Sequence, residues 1–339
     1  MIPSIEWVNN KVKIIDQTIL PHKLEFLEFE DFRDVAKSIK VMNIRGAPAI
    51  GVAAAMGLAL ATIEYKHLPK SEFLKKMEQA ANIIRTTRPT ASNLFWAINR
   101  ILNIVSTYPD NPSNISELVI EEAKLMAQED INVNKNIGKN GATLLNNGDV
   151  VLTHCNAGSL ATVQYGTALA PIRTAIEDGM KISVIADETR PRLQGARLTA
   201  YELHYDKIPV KVISDTSSGL MMKLGKINKV IVGTDRVTSD AVFNKIGTYL
   251  VALAAKDNNI PFYVATPTST LSLHETIEDV TIEQRDSTEV SNILGKFQIV
   301  PDGVECINYA FDITPFRLVT AIITEDGVFS PEKLLKKYK

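Results

Sequence analysis

The sequence predicts an α/β protein: a mostly helical N-terminal domain with a small β element, then a doubly wound domain built on a parallel sheet. Three observations predict it. Helical apolar spacing dominates residues 31–100. After Asp149 the pattern changes to short, near-continuous apolar runs at 150–152, 182–185, 210–213, 230–232 and 261–264. Such runs mark strands buried on both faces. Helix-compatible stretches separate most of them, which is the strand–helix alternation of a parallel sheet.

The elements follow in order. Residues 5–16 alternate apolar and polar on either side of Asn9-Asn10, a hairpin signature, because Asn tolerates left-handed turn positions. Phe32, Val35, Ala36 and Ile39 share one helical face, and Phe73, Met77, Ala80 and Ile84 repeat the spacing. Arg88-Pro-Thr-Ala-Ser-Asn93 breaks the pattern and opens a helix through Leu94, Ala97 and Ile98. Thr107-Tyr-Pro-Asp-Asn-Pro-Ser-Asn114 is the clearest turn-rich stretch, so the domains are placed at 1–114 and 115–339. Helices are expected over 115–145, a helix from about Leu160, and a late strand over 318–323.

Composition limits the function. The chain has 339 residues, 45% hydrophobic and 22% charged, with a net charge of −2, the balance of an ordinary soluble globular protein. That charge gives no reason to expect a nucleic-acid or anionic-membrane partner. Only two cysteines, Cys155 and Cys306, argue against a disulfide scaffold and for a reducing, cytoplasmic setting. No secretion signal is read at the N-terminus. Residues 46–63 are uncharged and largely apolar, but Arg45 beside them and Pro48 within them favour a buried, tightly packed helix over a membrane span.

In an open α/β sheet the carboxyl ends of the strands share one edge, where ligands bind. The most informative of these ends is Val151-Leu-Thr-His-Cys-Asn-Ala-Gly158. Cys155 there is a nucleophile, a proton carrier or an inert buried thiol. No histidine–carboxylate pair is evident in the sequence, and His154 is expected to face away from Cys155 if the strand continues. Asp235 closes another run; partial desolvation would suit it to acid–base work, while capping or pairing with Arg236 is the alternative. Arg45-Gly-Ala-Pro48, Arg88 and Asn244-Lys245 precede helical stretches and suggest phosphate contacts. A Walker loop, a Gly-x-Gly-x-x-Gly fingerprint and a ligand-spaced metal cluster are absent, so neither a cofactor nor a metal is expected.

Taken together, these segments resemble methylthioribose-1-phosphate isomerases, a family grouped with ribose-1,5-bisphosphate isomerases and the regulatory subunits of the eukaryotic translation-initiation exchange factor. The blocks that carry the resemblance are Ile44-Arg-Gly-Ala-Pro-Ala-Ile-Gly-Val52, Arg88-Pro-Thr90, Thr153-His-Cys-Asn-Ala-Gly158, the stretch from Ala186 to Arg197, Asn244-Lys-Ile-Gly-Thr-Tyr249 and Ala310-Phe-Asp-Ile-Thr-Pro315. The resemblance implies a Rossmann-like C-terminal domain, a homodimer and a small sugar phosphate as substrate. It implies that Cys155 and Asp235 are catalytic, and that Arg45, Gly46, Ala47, Arg88, Gln194, Asn244 and Lys245 contact substrate. Gln194 is singled out by the resemblance alone. One departure stands out: the stretch from Asp235 to Lys245 is one residue shorter than in the family and lacks its Asn-Gly turn. Rival readings are an isomerase of ribose 1,5-bisphosphate or 5-deoxyribose 1-phosphate, and a non-catalytic regulatory subunit in translation.

Overall fold

Left-handed backbone at Asn9 and Asn10 (φ 51° and 58°) turns the chain between β1 (Ile5–Val8) and β2 (Lys11–Ile15). The two strands pair antiparallel with Ile5 opposite Ile14, as the alternation predicted. A third strand, β3 (Phe26–Phe29), adds to β2 and was not anticipated. The computed structural model describes residues 1–89 and 91–339; Thr90 of the Arg88-Pro-Thr motif lies outside them.

The described chain divides into two compact units, Met1–Val133 with Ser159–Gly166, and Asn134–Gly158 with Thr167–Lys339. In the first unit, α1 (Phe32–Lys40) starts where the Asp31 carboxylate accepts the Arg33 N–H, and it buries the predicted face. Then come α2 (Ala47–Tyr65), α3 (Lys70–Arg85), α4 (Ser92–Thr107) and α5 (Pro112–Ala142). The long apolar helix α2 is long and apolar enough to cross a membrane, but 14 of its residues, from Ala49 to Thr62, are buried in the core of this unit. It packs there with the inner faces of α1, α3 and α4. The turn-rich stretch at 107–114 leads into α5, and the two units divide inside that helix, at Val133/Asn134. A helix carries its hydrogen bonds through any such division, so composition at its N-terminus does not mark where packing changes.

The second unit is built on a seven-stranded sheet. Its strands are β4 (Val150–Thr153), β5 (Ser183–Asp187), β6 (Val210–Ile213), β7 (Lys229–Val232), then β10 (Phe262–Ala265), β14 (Ala321–Thr324) and β15 (Gly327–Phe329). Their order is β6-β5-β4-β7-β10-β14-β15. All neighbours are parallel except β14 and β15. The helices α6 (Ala170–Glu177), α7 (Ala200–Tyr205) and α8 (Ser218–Lys223) connect β4 through β7. The order reverses between β4 and β7, the switch point at which open sheets bind ligands. Leu152, Val230, Val264 and Ile322 fill the core beside it.

Between β7 and β10 the chain makes β8 (Arg236–Val237), β9 (Ala241–Lys245) and α9 (Thr248–Asp257). Later segments are α10 (Thr288–Ser291), the small pair β11 (Asn292–Ile293) and β12 (Phe297–Gln298), β13 (Phe311–Pro315), and α11 (Pro331–Tyr338) after β15. A second antiparallel sheet, β13-β9-β8, was not anticipated either. The helix expected at Leu160 is replaced by one 3₁₀ turn at Ser159–Ala161. Left-handed Tyr165 and Gly166 (φ 68° and 81°) stop any continuation.

Candidate active site

Cys155 and Asp235 follow the ends of β4 and β7, the two strands that flank the switch point. Strand β4 stops at Thr153, and Cys155 is left-handed with φ 64°, an uncommon state for a residue with a side chain. Both its backbone groups are fixed from neighbouring segments. Its N–H donates to Thr189 Oγ1 at 2.9 Å, and its carbonyl accepts from Thr199 Oγ1 at 2.7 Å. Thr189 is itself left-handed, with φ 65°, a costly state for a β-branched residue. The Asp215 carboxylate holds it by accepting the N–H groups of Thr189 and Arg190, both at 2.7 Å. Strain of this kind persists only where the surroundings over-determine it, and it concentrates at functional sites. The next residues are anchored too: Asn156 Nδ2 donates to Glu202, which is paired with buried Arg173 at 2.8 Å.

The reach from Thr199 to Cys155 also places Gln194, which precedes a π-helical turn at Gly195–Thr199. Gln194 is buried, and its Oε1 has no hydrogen-bond partner among the described residues. A buried acceptor left open costs free energy unless something else satisfies it.

Asn244 and Lys245 end β9, and both are buried. Asn244 Nδ2 donates to Thr248 Oγ1 at 3.0 Å. The Lys245 ammonium donates to the Ala310 carbonyl at 2.7 Å and lies 4.3 Å from the centre of the Phe311 ring. Burial, and then the nearby Arg285 guanidinium, lower Lys245 to about 8; the charges of Cys155, Asp235 and Glu283 oppose the shift. Cys155, Asp235 and Arg285 therefore lie within electrostatic reach of Lys245. Arg285 is held at 2.9 Å by Glu283 and lies 5.4 Å from the Phe311 ring centre. Sequence reasoning missed Arg285 and Phe311; the block Ala310-Phe-Asp-Ile-Thr-Pro315 was the signal that pointed to the second of them.

Two expectations need correction. Asp235 is exposed, because the chain leaves β7 before reaching it, so burial does not supply the desolvation expected there. Its N–H donates to the Phe243 carbonyl at 2.9 Å, while the neighbouring Arg236 pairs with Glu275 at 2.9 Å. His154, in turn, does pair with a carboxylate. Its Nδ1 donates to Asp187 at 2.9 Å and its Nε2 to the Ile246 carbonyl at 2.8 Å. Burial opposes a charge on this ring, but Asp187 and the carbonyl outweigh it and raise its pKa. The raised pKa favours the imidazolium, and with a partner on each nitrogen the ring has no free lone pair with which to act as a base toward Cys155. The pair was invisible because its members are 33 residues apart in sequence.

His154, Asp187 and Asp215 bring ligand atoms within 4.8 Å of one another. Both His154 nitrogens are already engaged, while Asp187 bonds His154 and Ser218 and Asp215 accepts two backbone N–H groups. The cluster is a hydrogen-bonded ion-pair network, without an open donor set for a metal.

In the first unit, Gly46 caps α2 with φ 91°, and a Cβ there would lie 2.3 Å from the Ala161 carbonyl oxygen, so only glycine fits. Ala47 and Pro48 begin the helix. Half-buried Arg45 precedes it, and half-buried Arg88 lies in the turn between α3 and α4. A guanidinium beside a helix N-terminus is an arrangement that binds phosphate.

The sequence matches the model of the initiation factor 2 subunit family over residues 43–331. It is 54% identical to the methylthioribose-1-phosphate isomerase of Thermosipho africanus, over 98% of this chain and 97% of that one. Among solved structures, 5-methylthioribose 1-phosphate isomerase from Pyrococcus horikoshii superposes with a TM-score of 0.93 at 42% identity, covering 99% and 95% of the two chains. A protein described as translation initiation factor eIF-2B, subunit delta, from A. fulgidus gives 0.91 at 47% identity, covering 99% and 100%. The chain therefore belongs to the initiation factor 2 subunit family, in the branch that holds the methylthioribose-1-phosphate isomerases.

Proposed function

We propose that the protein is an isomerase that interconverts 5-methylthioribose 1-phosphate and 5-methylthioribulose 1-phosphate, a step in methionine salvage. The observation that carries this reading is the buried Lys245 ammonium with Cys155 and Asp235 both acting on it, beside a sheet switch point. Half-identity to isomerases over the full chain supports it. Catalysis is assigned to the C-terminal domain (115–339), read as Rossmann-like from its strand order, in a cytoplasmic homodimer.

The substrate carries phosphate on carbon 1, which masks the aldehyde that ordinary aldose–ketose isomerases begin from. Asp235 donates a proton to the ring oxygen as its bond to carbon 1 breaks, leaving a cationic carbon 1 with the phosphate attached. In the proton route the Cys155 thiolate removes the proton from carbon 2, and the freed electron pair forms the carbon 1–carbon 2 double bond. After the thiol exchanges with solvent, Cys155 delivers a proton to carbon 1, the 2-hydroxyl becomes the ketone, and its proton restores Asp235. In the hydride route the hydrogen on carbon 2 shifts to carbon 1 with its electrons, and Cys155 shapes the reacting centre. On the family resemblance, Arg45, Gly46, Ala47, Arg88, Gln194, Asn244 and Lys245 are assigned as substrate contacts, Arg88 and Lys245 being the kind of cation that suits phosphate.

The decisive assay offers methylthioribose 1-phosphate, ribose 1,5-bisphosphate and 5-deoxyribose 1-phosphate to the purified protein. Faster turnover of either rival overturns the substrate assignment. No turnover of any supports the regulatory-subunit reading that likeness to the A. fulgidus protein favours. In deuterated water, solvent deuterium at carbon 1 of the product supports the proton route, and full retention of substrate hydrogen supports the hydride route.

A further inference from the structure

The block Ala310-Phe-Asp-Ile-Thr-Pro315 has no part in the reaction above, yet its first three residues all serve the end of β9. Ala310 accepts the Lys245 ammonium, Phe311 lies against it, and Asp312 holds the turn that follows. Asp312 Oδ2 accepts the Gly247 N–H at 2.7 Å and the Tyr249 N–H at 3.1 Å, the first donors of α9. From the other side the His154 imidazolium donates to the Ile246 carbonyl at 2.8 Å. The two grips meet at Gly247, whose φ is 103° and where a Cβ would lie 2.8 Å from the His154 ring.

We propose that Asp312 is a positioning residue, which with His154 opposite clamps the Ile246–Gly247 turn and so fixes Asn244 and Lys245 for substrate phosphate. The inference rests on the assignment of Asn244 and Lys245 to substrate. The arrangement uses an anion on the turn's N–H groups and a cation on its carbonyl, so each polar end of the turn meets the opposite charge. Burial raises the Asp312 carboxyl to about 6, against the Gly247 and Tyr249 N–H groups and the charges of His154 and Lys245. Those two cations are the charged groups that act on it most, one after the end of β4 and one at the end of β9. The clamp is thus mostly charged at neutral pH and weakens as pH falls through that value.

Asp312→Leu, which has no acceptor, and Asp312→Asn, which keeps one, are compared with the wild type. Steady-state kinetics and amide hydrogen exchange at Gly247 and Tyr249 are measured on the same preparations. Asp312→Leu is expected to speed exchange at both amides and raise KM about tenfold with a smaller effect on kcat, the scale of one charge-assisted hydrogen bond. Asp312→Asn lies between the two, and its KM converges on the wild-type value below about pH 6, where both side chains are neutral. The phosphate's own ionisation acts on both proteins and cancels in the comparison. Unchanged exchange in Asp312→Leu overturns the inference, as does fast exchange with KM unaltered. If Asp312→Leu does not fold, a KM ratio between Asp312→Asn and wild type that is independent of pH overturns it instead. Should the wild type turn over no sugar phosphate, the proposed reaction fails, while the exchange comparison still decides whether Asp312 holds the turn.

Discussion

Replacing Lys245 by methionine removes a buried ammonium and keeps most of its apolar stem. In the folded protein this lysine lies at about 8, against 10.5 for a free side chain. Between those values the unfolded chain binds more protons, so stability rises with pH across that window. Keeping the group charged below it costs about 3 kcal/mol, at about 1.4 kcal/mol per pH unit. Raising the pH from 7 to 9.5 relieves about 2 kcal/mol of that cost. The variant should lack this gain. Its losses, the Ala310 hydrogen bond and the Phe311 contact, are each about 1 kcal/mol and depend little on pH below 8. Urea unfolding of both proteins at pH 7 and 9.5 measures the difference, in which titrating groups that do not interact with Lys245 cancel. Two parallel pH profiles would refute the reasoning, because a solvated or fully ion-paired Lys245 predicts no such gap. Activity should be lost in the variant at either pH, so stability and function pull this position in opposite directions.

Other substitutions probe the rest of the site. Cys155→Ser and Asp235→Asn should each cut kcat by about a hundredfold or more with unchanged far-UV circular dichroism, the scale of a lost acid–base group. Near-normal turnover in both would remove them from the mechanism. Arg88→Ala should raise KM about tenfold and alter kcat less, as expected when a charge-assisted phosphate contact is lost. Asp187→Asn leaves the buried His154 imidazolium uncompensated and should cost about 3 kcal/mol in urea unfolding at neutral pH. A loss within experimental error would mean that the ring is neutral.

The parallel strands were legible because burial on both faces writes itself as unbroken apolar runs, and the 5–16 hairpin because two consecutive asparagines mark a left-handed turn. Strands β8, β9 and β13 were hidden. Ala241–Lys245 mixes small, aromatic, amide and charged residues, all five buried, and its ladder partner Phe311–Pro315 lies far along the chain. The Cys155 and Asp235 segments stood out as small or polar residues ending apolar runs, and Asn244-Lys245 as an amide and an ammonium before a helical stretch. Asp235 nonetheless showed that the end of a strand fixes a residue's place and leaves its depth undetermined. Arg285 carried no local signal, and Asp187 and Asp312 lay within blocks that stood out without showing what they pair with, since a charge reads as solvated until the fold supplies its partner.

The excursion at Ser159–Gly166 has a bearing on synthesis. This stretch belongs to the first unit, where Val163 joins the core and its carbonyl accepts the Ser4 N–H. Ser4 Oγ donates to the Thr162 carbonyl, Gln17 Nε2 to that of Leu160, and Asp130 accepts the Val163 N–H. A chain emerging from the ribosome cannot complete its N-terminal core when the first 133 residues are out; it must wait for residue 166, by which point β4 has already been made. A fragment ending at Val133 would leave buried Ser4 and Gln17 without these carbonyls. The N-terminal unit is therefore expected to mature only with the second already under way, and to resist expression by itself.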